Sequence, residues 1–467
     1  MNSPVSTPRV PALTSEAGLA KLETYPFQVL TFVDADGYPV SVAVAASIDA
    51  PTGTASFAAP AGLTVPAGVD VSLTGSHIRP QPGYGYDERR HVTVWGRAVT
   101  AGDRVTFAAA RAWGWDEAEV PFFEYSERSL AQSRRYFDAL SAERGTPVKP
   151  RLSAGWLALR TTRLPFLSAT IVPVVLGIAI AARQGTFDLL TAVLTVIGAA
   201  FVQLGLNVAN DVFDSVQGAD DANVTPTQFS GGSRVIQYGL VTFRQMAGLA
   251  TAFYVAAGVI GLVLLALRPS AALLVIGIAG FIVSIGYTAP PLKLVYRGLG
   301  EIAVALGFGP LMLLGAYVVQ SGGSLDWEPV IASLPIALLV ALILYVNEIP
   351  DRRGDARVGK RTLPVRWSKA AVITGYRVAA VAAYAILVGA VVARVLPIPA
   401  LLALLTVPLA LRVSRGLEPN YDNPYGLMAV MGVNVKVHLY AGLLLLAGYV
   451  IVLVAGAVAP SLASALG

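Results

Sequence analysis

The sequence predicts a multi-domain protein in which an N-terminal soluble β-barrel domain precedes an all-α bundle of nine transmembrane helices. Only 13% of the 467 residues are charged and 55% are hydrophobic, whereas a soluble protein carries roughly 25% charged residues. Most of the acidic residues lie in the first 150 positions, where short apolar segments alternate with turns. From residue 164 onward the chain contains long apolar runs, each near the ~20 residues that cross a bilayer.

The N-terminal domain is predicted to extend from 12 to 145. The segment Asp34-Ala-Asp36-Gly37 is a hairpin signal between the first two predicted strands. The region 104–143 is expected to be helical because apolar residues recur along it. The remaining predicted elements are a helix at 15–22 and strands at 27–33, 39–46, 54–58, 69–74 and 91–100.

Two segments of this domain, "DADGYPVSVAV" and "VSLTGSHIRPQPGYGYDERRHVTVWGRAV", resemble the pyridoxamine-phosphate-oxidase-like split barrels. Many members of that family bind FMN at a dimer interface, so the resemblance implies FMN as a cofactor and a homodimer formed through this domain. Arg79, Arg89 and Arg90 are the candidates for a phosphate cradle. A structural or regulatory β-domain without a cofactor is the competing interpretation.

A linker is predicted at 146–160 and a membrane domain at 161–460. Apolar runs of spanning length define nine predicted helices within that domain. They lie at 164–183, 187–210, 243–267, 270–288, 298–320, 327–348, 370–394, 397–414 and 437–458.

The chemistry of any metal site is restricted by composition. The chain has no cysteine and only three histidines, His77, His91 and His438. Zinc-thiolate sites, Fe–S clusters, disulfides and cysteine nucleophiles are therefore excluded. The ligands that remain are carboxylate, amide and carbonyl oxygens, which suit Mg²⁺ or Ca²⁺.

Two clusters of acidic and amide residues lie where apolar spans end. Span two ends in "NVANDVFDSVQGADD", from Asn207 to Asp221, and span six ends in "NEIPDRRGD", from Asn347 to Asp355. Acidic groups at membrane depth are costly, so each cluster is a functional hypothesis. A solvated loop at a helix end is the ordinary alternative for one cluster alone, and it is a poor explanation for two.

Helical geometry turns each cluster into a column of oxygens. Asn207, Asp211 and Asp214 are spaced i, i+4, i+7, and Asn347, Asp351 and Asp355 are spaced i, i+4, i+8. Each set lies on one face of a helix, although Pro350 could interrupt the second. Two facing columns can hold two or three Mg²⁺ ions with open coordination positions, and a diphosphate suits those positions. Asp220 and Asp221 lie beyond the reach of this geometry, so a loop role for one of them stays open.

Basic residues follow both clusters, and guanidinium or ammonium groups can bind phosphate oxygens. The candidates with the strongest positional case are Arg234 in "GGSR" and Lys360 in "GKRT". Each basic residue could equally be a positive-inside anchor. The others in the same loops are Lys293, Arg297, Arg352, Arg353, Arg357 and Arg361.

The orientation follows from the loop charges. No basic segment followed by an apolar one occurs between Met1 and Tyr25, so we expect no signal peptide and a cytoplasmic N-terminal domain. With that start, Arg183, Arg268 and Arg394 face outside and the other basic loop residues face the cytoplasm, as the positive-inside rule requires. Both acidic clusters then lie on the cytoplasmic side of a multi-pass protein of the plasma (inner) membrane. The net charge of +5 is explained by this topology, and no nucleic-acid partner is expected.

Taken together, the segments from about 155 to 460 resemble the UbiA superfamily of intramembrane prenyltransferases. The resemblance rests on "NVANDVFDSVQGADD", "FSGGSRVIQYGLVT", "GYTAPPLKLVYRGLGEIAVALGFGPLMLLGAYVVQ" and "LYVNEIPDRRGDARVGKRTLPVR". The "TAPPLK" and "GKRT" blocks are most similar to the 1,4-dihydroxy-2-naphthoate polyprenyltransferase branch of menaquinone synthesis. Two features depart from the family pattern, namely Glu348-Ile-Pro between Asn347 and Asp351 and the fused N-terminal barrel.

The resemblance implies a Mg²⁺-dependent transfer of a polyprenyl group from an allylic diphosphate to an electron-rich aromatic ring, with loss of CO₂ if the acceptor is a hydroxynaphthoate. It implies Asp211, Asp214, Asp351 and Asp355 as the catalytic core. With Asn207 and Asn347 these carboxylates form the implied metal-ligand set. The implied substrate-binding residues are Arg163, Asn207, Asn210, Arg234, Tyr287, Lys293, Asn347, Lys360 and Arg361.

Several roles stay open at the level of sequence. Arg163 is a candidate anchor for an acidic acceptor or an ordinary membrane-end arginine. Tyr287, Phe308, Tyr345 or Tyr254 could face the allylic cation with its ring, or could simply pack. A UbiA-type enzyme with another acceptor, a cation-coupled transporter, and a flavin module with a membrane anchor are the alternative functions.

Overall fold

The computed structural model describes residues 13–65, 68–81, 85–149, 152–459, 461 and 465–467. Its contacts divide the chain into two compact units, one ending at Ser133 and one beginning at Arg134. The division falls inside a helix, Leu130–Arg144. Residues 12, 150, 151 and 460, which fall within the predicted domain and linker limits, lie outside the described residues.

The N-terminal unit is built on seven antiparallel strands, which is consistent with the split barrel that the sequence predicts. The strands are paired in the order β2-β1-β5-β6-β7-β4-β3. Alternate residues such as Leu30, Leu73, Val94 and Phe107 point into one buried core, as the two-residue period of a strand requires. The strand bounds are β1 Gln28–Val33, β2 Pro39–Val44, β3 Ser47–Asp49, β4 Thr54–Ala58, β5 Asp70–Gln81, β6 Gly85–Ala101 and β7 Arg104–Asp116.

The helical prediction for 104–143 is wrong over its first part. Strand β7 pairs with β6 on one side and β4 on the other, with Phe107 opposite both Ala98 and Ala55. Val105 and Phe107 are buried while their neighbours are exposed, a two-residue period that the strand pairing selects over the helical one. Helices of this unit are α1 Ser15–Glu23, α2 Phe122–Arg128 and the start of α3 Leu130–Arg144.

Two of the three arginines proposed as a flavin phosphate cradle are paired with carboxylates. The Arg79 guanidinium binds the Asp87 carboxylate, with Nε 2.9 Å from Oδ1. Arg89 forms an ion pair with Glu117, and Arg90 lies over the Tyr25 ring, 5.3 Å from its centroid. These contacts give no support to the prediction that FMN binds this unit.

The second unit is helical and carries eight described helices that are long and apolar enough to cross a membrane. The predicted span at 270–288 corresponds to a shorter apolar helix of 16 residues, Ala271–Gly286. A π-helical turn joins α10 to α11. The bounds are α4 Ala154–Thr162, α5 Ser168–Arg183, α6 Leu189–Gln217, α7 Ala219–Ala222, α8 Phe243–Leu267, α9 Ala271–Gly286, α10 Gly300–Leu306, α11 Met312–Gln320, α12 Trp327–Arg357, α13 Leu363–Arg366, α14 Lys369–Val392, α15 Val407–Asn420 and α16 Pro424–Val458.

Helices α6 and α12 are longer than the apolar runs that predict them. Asp188 and Asp326 cap their N-termini by accepting hydrogen bonds from backbone N–H groups of the first turn. With 29 and 31 residues at 1.5 Å each, both exceed the ~30 Å hydrocarbon core. Pro350 does not interrupt α12. The last turns of α6 therefore carry Asn207 to Asp214 and those of α12 carry Asn347 to Asp355, in helical register, whereas Asp220 and Asp221 lie on α7.

Small residues bring the helices that surround these turns close together. A Cβ on Gly177 of α5 would lie 2.3 Å from the Leu313 carbonyl oxygen of α11, and a Cβ on Gly309 would lie 2.4 Å from the Ala337 side chain of α12. Close approach through small residues is the common way in which membrane helices pack. Substitution of either glycine would force the helices apart.

Candidate active site

One cavity is lined by residues from both acidic clusters. Asn207, Asn210 and Asp214 of α6 line it together with Asn347, Asp351 and Asp355 of α12. The remaining lining residues are Arg163, Phe166, Ala169, Gln203, Leu206, Ala219, Asp220, Asn223, Phe229, Ser230, Gly231, Gly232, Tyr287, Val295, Val304, Phe308, Val340, Ile343, Leu344, Glu348 and Lys360. The two columns of oxygens that helical geometry predicts thus contribute to a single site.

Asp211, the centre of the first cluster, is held by protein groups. Arg163 Nη2 lies 2.6 Å from its Oδ1, and the Ser233 backbone N–H donates to its Oδ2 at 3.1 Å. Its side chain is 3% exposed. Arg163 is the left-handed residue between α4 and the first span, so this ion pair connects the start of that span to α6.

Asp214 lies one turn further along α6 and is also satisfied by protein donors. The Tyr296 hydroxyl donates to Oδ1 at 2.7 Å, and Asn210 Nδ2 donates to Oδ2 at 3.2 Å. Lys360 Nζ lies 3.5 Å from the same Oδ2. The carboxylate therefore lies between an intrahelical amide and groups from the segments that follow α9 and α12.

In the second cluster, Asp351 connects α12 to the loop after α7. Asn223 Nδ2 donates to its Oδ1 at 2.8 Å, and the Gly231 N–H donates to its Oδ2 at 2.9 Å. The absence of a side chain at Gly354 allows this approach, since a Cβ there would lie 3.0 Å from Asn223 Cα. The loop 223–233 is thereby fixed across the cavity wall.

Lys360 bridges the two clusters. Its Nζ lies 3.6 Å from Asp355 Oδ1, in addition to its contact with Asp214. Burial acts to lower the Lys360 pKa, but the Asp214 and Asp355 carboxylates outweigh it and hold the pKa well above its usual value. The ammonium is therefore charged at neutral pH and lies between carboxylates of both helices.

Several buried oxygens in the cavity wall have no hydrogen-bond partner. They are Asp220 Oδ2, Asn347 Oδ1, Asp355 Oδ2 and both carboxylate oxygens of Glu348. Buried polar atoms are rarely left unpaired, so such atoms indicate a missing ligand. Burial, with the charges of Asp211 and Asp214, raises the Asp220 pKa well above its usual value, and a bound cation would relieve this repulsion.

The chemistry of this donor set fits Mg²⁺. Within the described part of the chain, no three Asp, Glu or His side chains converge closely enough to hold a metal ion by themselves. Mg²⁺ is usually bound through one or two carboxylates, with water and substrate phosphate oxygens completing its octahedron. Unpartnered Asp220, Asn347 and Asp355 oxygens around one cavity match that mode of binding.

The loop after α7 depends on two glycines and a buried arginine. Gly231 and Gly232 have φ of 76° and 75°, a conformation that favours glycine. A Cβ on Gly232 would lie 2.7 Å from Asp220 Oδ1. Arg234 is 1% exposed and donates to the backbone carbonyls of Asp220 and Asn223. This geometry supports a structural role for Arg234 and gives no support to its prediction as a substrate ligand.

The other predicted substrate-binding residues divide into two groups. Asn207, Asn210, Tyr287, Asn347, Lys360 and Arg163 line the cavity, whereas Lys293 and Arg361 are not among its lining residues. Lys293 Nζ lies over the Tyr296 ring, 5.6 Å from its centroid, and the Arg361 side chain is exposed. These positions give no support to their prediction as substrate ligands.

Of the four aromatic candidates, Tyr287 and Phe308 line the cavity. The Tyr254 hydroxyl instead bonds to Ser284, and the Tyr345 hydroxyl donates to the Val372 carbonyl.

Sequence reasoning missed several groups that lie in or beside this cavity. Phe166 and Phe229 meet edge to face with centroids 6.4 Å apart, and both line it with Asn223. Tyr296 binds Asp214 from the segment after α9. Phe166 and Phe229 lie 63 positions apart in the chain, so no periodic pattern connects them.

Comparison with known proteins shows the family to which the chain belongs. The UbiA prenyltransferase family matches residues 170–423, more than half of the chain. The 2-carboxy-1,4-naphthoquinone phytyltransferase of Synechocystis sp. is 29% identical over 301 residues, which cover 63% of this chain and 92% of that protein. The 1,4-dihydroxy-2-naphthoate octaprenyltransferase of Bacillus subtilis is 26% identical over 307 residues, covering 66% and 96%.

Among solved structures, a UbiA homolog from Archaeoglobus fulgidus bound to DMAPP and Mg²⁺ covers 62% of this chain and 99% of its own, with 15% identity and a TM-score of 0.45. A superposition at that level carries no argument about this site. The family match and the naphthoate prenyltransferase relatives identify the family and the class of enzyme. The chain therefore belongs to the UbiA prenyltransferase family and is a prenyltransferase.

Proposed function

We propose that this chain transfers a polyprenyl group from an allylic polyprenyl diphosphate to 1,4-dihydroxy-2-naphthoate, in a Mg²⁺-dependent reaction of menaquinone synthesis. The observation that carries the proposal is the single cavity lined by both acidic clusters, with unpartnered oxygens on Asp220, Asn347 and Asp355. The names of the relatives from Synechocystis and Bacillus subtilis support a naphthoate-type acceptor.

The diphosphate end of the donor would bind among the carboxylates. Asp214, Asp220, Asn347, Asp351 and Asp355 are the groups that would hold Mg²⁺. The metal supplies Lewis-acid stabilisation of the charge on the leaving diphosphate. Lys360, buried and cationic between the two clusters, would add a donor to the same phosphate oxygens.

The isoprenoid end would occupy the apolar part of the cavity. Val304, Phe308, Val340 and Leu344 line that part and offer no hydrogen-bonding side chain, so they suit a hydrocarbon tail and exclude water. Cleavage of the allylic C–O bond leaves the electron pair on the diphosphate. The resulting allylic cation would face the electron-rich rings of Tyr287 and Phe308, which stabilise positive charge.

The acceptor ring completes the reaction. One of its carbon atoms forms a new C–C bond to the allylic carbon, and a ring proton or the carboxylate, as CO₂, then leaves to restore aromaticity. Arg163 lines the cavity and is a candidate partner for the acceptor carboxylate. Its existing ion pair with Asp211 would hold its guanidinium in place for that contact.

The topology that the sequence predicts is part of the proposal. Eight described helices of spanning length support a multi-pass membrane protein. With a cytoplasmic N-terminal domain, the acidic ends of α6 and α12 would open to the cytoplasm, where a soluble acceptor and Mg²⁺ are available. We propose the plasma membrane as the location, and fusion of a reporter after Gly322 against one after Arg357 would test the sidedness.

A direct assay tests the function. Membranes that contain the chain would be incubated with Mg²⁺, radiolabelled polyprenyl diphosphate and 1,4-dihydroxy-2-naphthoate, and the prenylated product would be identified by mass. We expect product formation that EDTA abolishes and excess Mg²⁺ restores, and that Asp351→Ala removes. Turnover with other aromatic acceptors alone would overturn the acceptor assignment. Cation flux across vesicles without release of diphosphate would instead support a transporter.

A further inference from the structure

Glu348 is an acidic residue of the cavity that the proposed metal and diphosphate chemistry does not use. Its side chain lines the cavity and the residue is 4% exposed. Glu301 of α10, 8% exposed, interacts with it through a side-chain hydrogen bond between the two carboxyl groups. Neither Glu348 oxygen has any other hydrogen-bond partner, and Glu301 Oε1 has none either. One proton shared by two buried carboxyl groups cannot satisfy all of these oxygens, so the pair indicates a ligand that supplies a further hydrogen.

The position of Glu348 on α12 separates it from the carboxylates of the second cluster. It precedes Asp351 by three residues and Asp355 by seven, which places it about 4.5 Å and about 10 Å deeper along the helix axis. Relative to Asp351 it is rotated by about 60° around the axis. Glu348 thus lies nearer the middle of α12 than Asp351 and Asp355, in the cavity that Val304 and Phe308 also line.

We propose that Glu348, supported by Glu301, accepts a hydrogen bond from a ring hydroxyl of the aromatic acceptor and thereby determines which acceptors the site takes. This inference rests on the proposed function, because it names how the acceptor of that reaction is held. Arg163 and Glu348 would then contact two different polar substituents of one ring, a carboxylate and a hydroxyl.

Other occupants fit these residues less well. A diphosphate would be repelled, since no cation is hydrogen-bonded to either oxygen of Glu348. The isoprenoid chain has no donor to offer. A hydroxyl donor satisfies the free oxygens without a change of net charge.

The test compares acceptors with and without the hydroxyl. Full-length protein in detergent would be titrated with 1,4-dihydroxy-2-naphthoate and with its two monomethyl ethers, and binding would be followed by equilibrium dialysis. We expect wild-type protein to bind the parent compound about tenfold to a hundredfold more tightly than one of the two ethers, as one hydrogen bond to a charged group predicts. Glu348→Leu should abolish this preference. Glu348→Gln, which keeps a carbonyl acceptor, should retain part of it.

The control is Glu328→Gln, a buried glutamate at the far end of α12 that is paired with Arg183 and Tyr449. It should lower thermal stability and leave the preference between acceptors unchanged. Steady-state kinetics should show that Glu348→Leu raises the acceptor KM while the KM for the prenyl diphosphate stays within about twofold, since the hydroxyl contact is absent from the donor.

An unchanged preference in Glu348→Leu would overturn the inference, and so would a selective rise in the KM for the prenyl diphosphate. The binding measurement does not require turnover. Wild-type protein that binds the hydroxyl compound selectively but forms no product would contradict the proposed function while supporting the contact with Glu348.

Discussion

The two acidic clusters look alike in sequence and differ in how the fold treats them. On α6, Asp211 and Asp214 each receive hydrogen bonds or ion pairs on both carboxylate oxygens, from Arg163, Ser233, Tyr296 and other protein groups. On α12, Asn347, Glu348 and Asp355 retain oxygens with no partner. The two aspartates on α6 are thus satisfied by the protein, whereas three positions on α12 keep oxygens for a ligand. Asp351 is the exception on α12, since both of its oxygens accept hydrogen bonds from protein groups, and Asp220, which follows α6 on α7, also keeps a free oxygen.

This difference teaches that equal spacing does not imply an equal role. A carboxylate that is already bound by an arginine contributes to ligand binding mainly by fixing its neighbours, whereas an unpartnered one can coordinate a metal directly. The aspartates on α6 therefore stabilise the fold as well as the site, whereas the residues of α12 that keep free oxygens act mainly on the ligand. The following variants test that contrast, in decreasing order of expected effect.

The largest effect on activity is expected from Asp355→Asn. Its Oδ2 has no protein partner, and Lys360, which lies 3.6 Å from its Oδ1, keeps its contact with Asp214, so the substitution removes charge from the site and little from the fold. We expect kcat/KM to fall about 10²- to 10³-fold, the size seen when one group that stabilises transition-state charge is removed. The apparent Mg²⁺ affinity should fall as well, and the melting temperature in detergent should not decrease. A variant that melts early while retaining its Mg²⁺ affinity would contradict the contrast between the clusters.

Two lysines provide the next comparison. Lys360 and Lys293 both lie over the Tyr296 ring, at 5.5 Å and 5.6 Å, but only Lys360 contacts Asp214 and Asp355. Lys360→Met should lower kcat/KM about 10- to 100-fold, because it removes a charge-assisted contact to the leaving diphosphate. Lys293→Met is the matched control and should stay within about threefold. Equal losses would mean that the ring contact, rather than the carboxylates, gives Lys360 its role.

The structural side of the first cluster is tested by Asp211→Asn. It leaves Arg163, whose side chain is 23% exposed, without its anion. We expect a loss of about 2 kcal/mol in the free energy of unfolding, below the ~3–5 kcal/mol of a fully buried pair because solvent reaches Arg163. Thermal unfolding in detergent measures it. Unchanged stability together with a Mg²⁺ defect as large as that of Asp355→Asn would show that the two clusters are equivalent.

The smallest effect concerns the loop that carries Gly232. Gly232→Ala and Gly239→Ala introduce a side chain at similar φ, 75° and 69°, so both carry the same backbone strain of roughly 1 kcal/mol. Only the Cβ at 232 meets Asp220. We expect both variants to lose a little stability, and only Gly232→Ala to raise the KM for the diphosphate, by about threefold to tenfold. An equal rise in the KM of Gly239→Ala would show that contact with Asp220 does not cause the change.

The fold class was largely predictable because bilayer crossing requires long apolar runs, and these are visible one segment at a time. The limits of the predictions have physical causes too. The helical signal at 104–116 is wrong because β6 and β4 supply partners on both sides of that segment, and strand pairing between distant segments leaves no local trace. The lengths of α6 and α12 were underestimated because their last turns are polar and do not extend the apolar run.

The candidate site was predictable where it depends on helical spacing. Asn207, Asp214, Asn347, Asp351 and Asp355 line one cavity, whereas Asp211, the i+4 member of the pattern on α6, is not among its lining residues. The basic residues were not predictable, since an arginine at a helix end looks the same whether it binds a phosphate or a backbone carbonyl. Arg234 is buried against carbonyls and Lys360 lies between carboxylates, although both follow an acidic cluster in the sequence.

The amino-acid sequence was sufficient to predict a membrane helix bundle with two oxygen-rich helix ends. It also showed that oxygen atoms are the available metal ligands, because the chain has no cysteine and few histidines. Which of those oxygens are free became visible only in the folded structure. That outcome depends on whether a donor from a distant segment, such as Arg163, Tyr296 or Asn223, reaches a given carboxylate. Helical periodicity specifies the face of a helix on which a group lies, whereas hydrogen-bond saturation depends on neighbours that only packing brings within 3 Å or so.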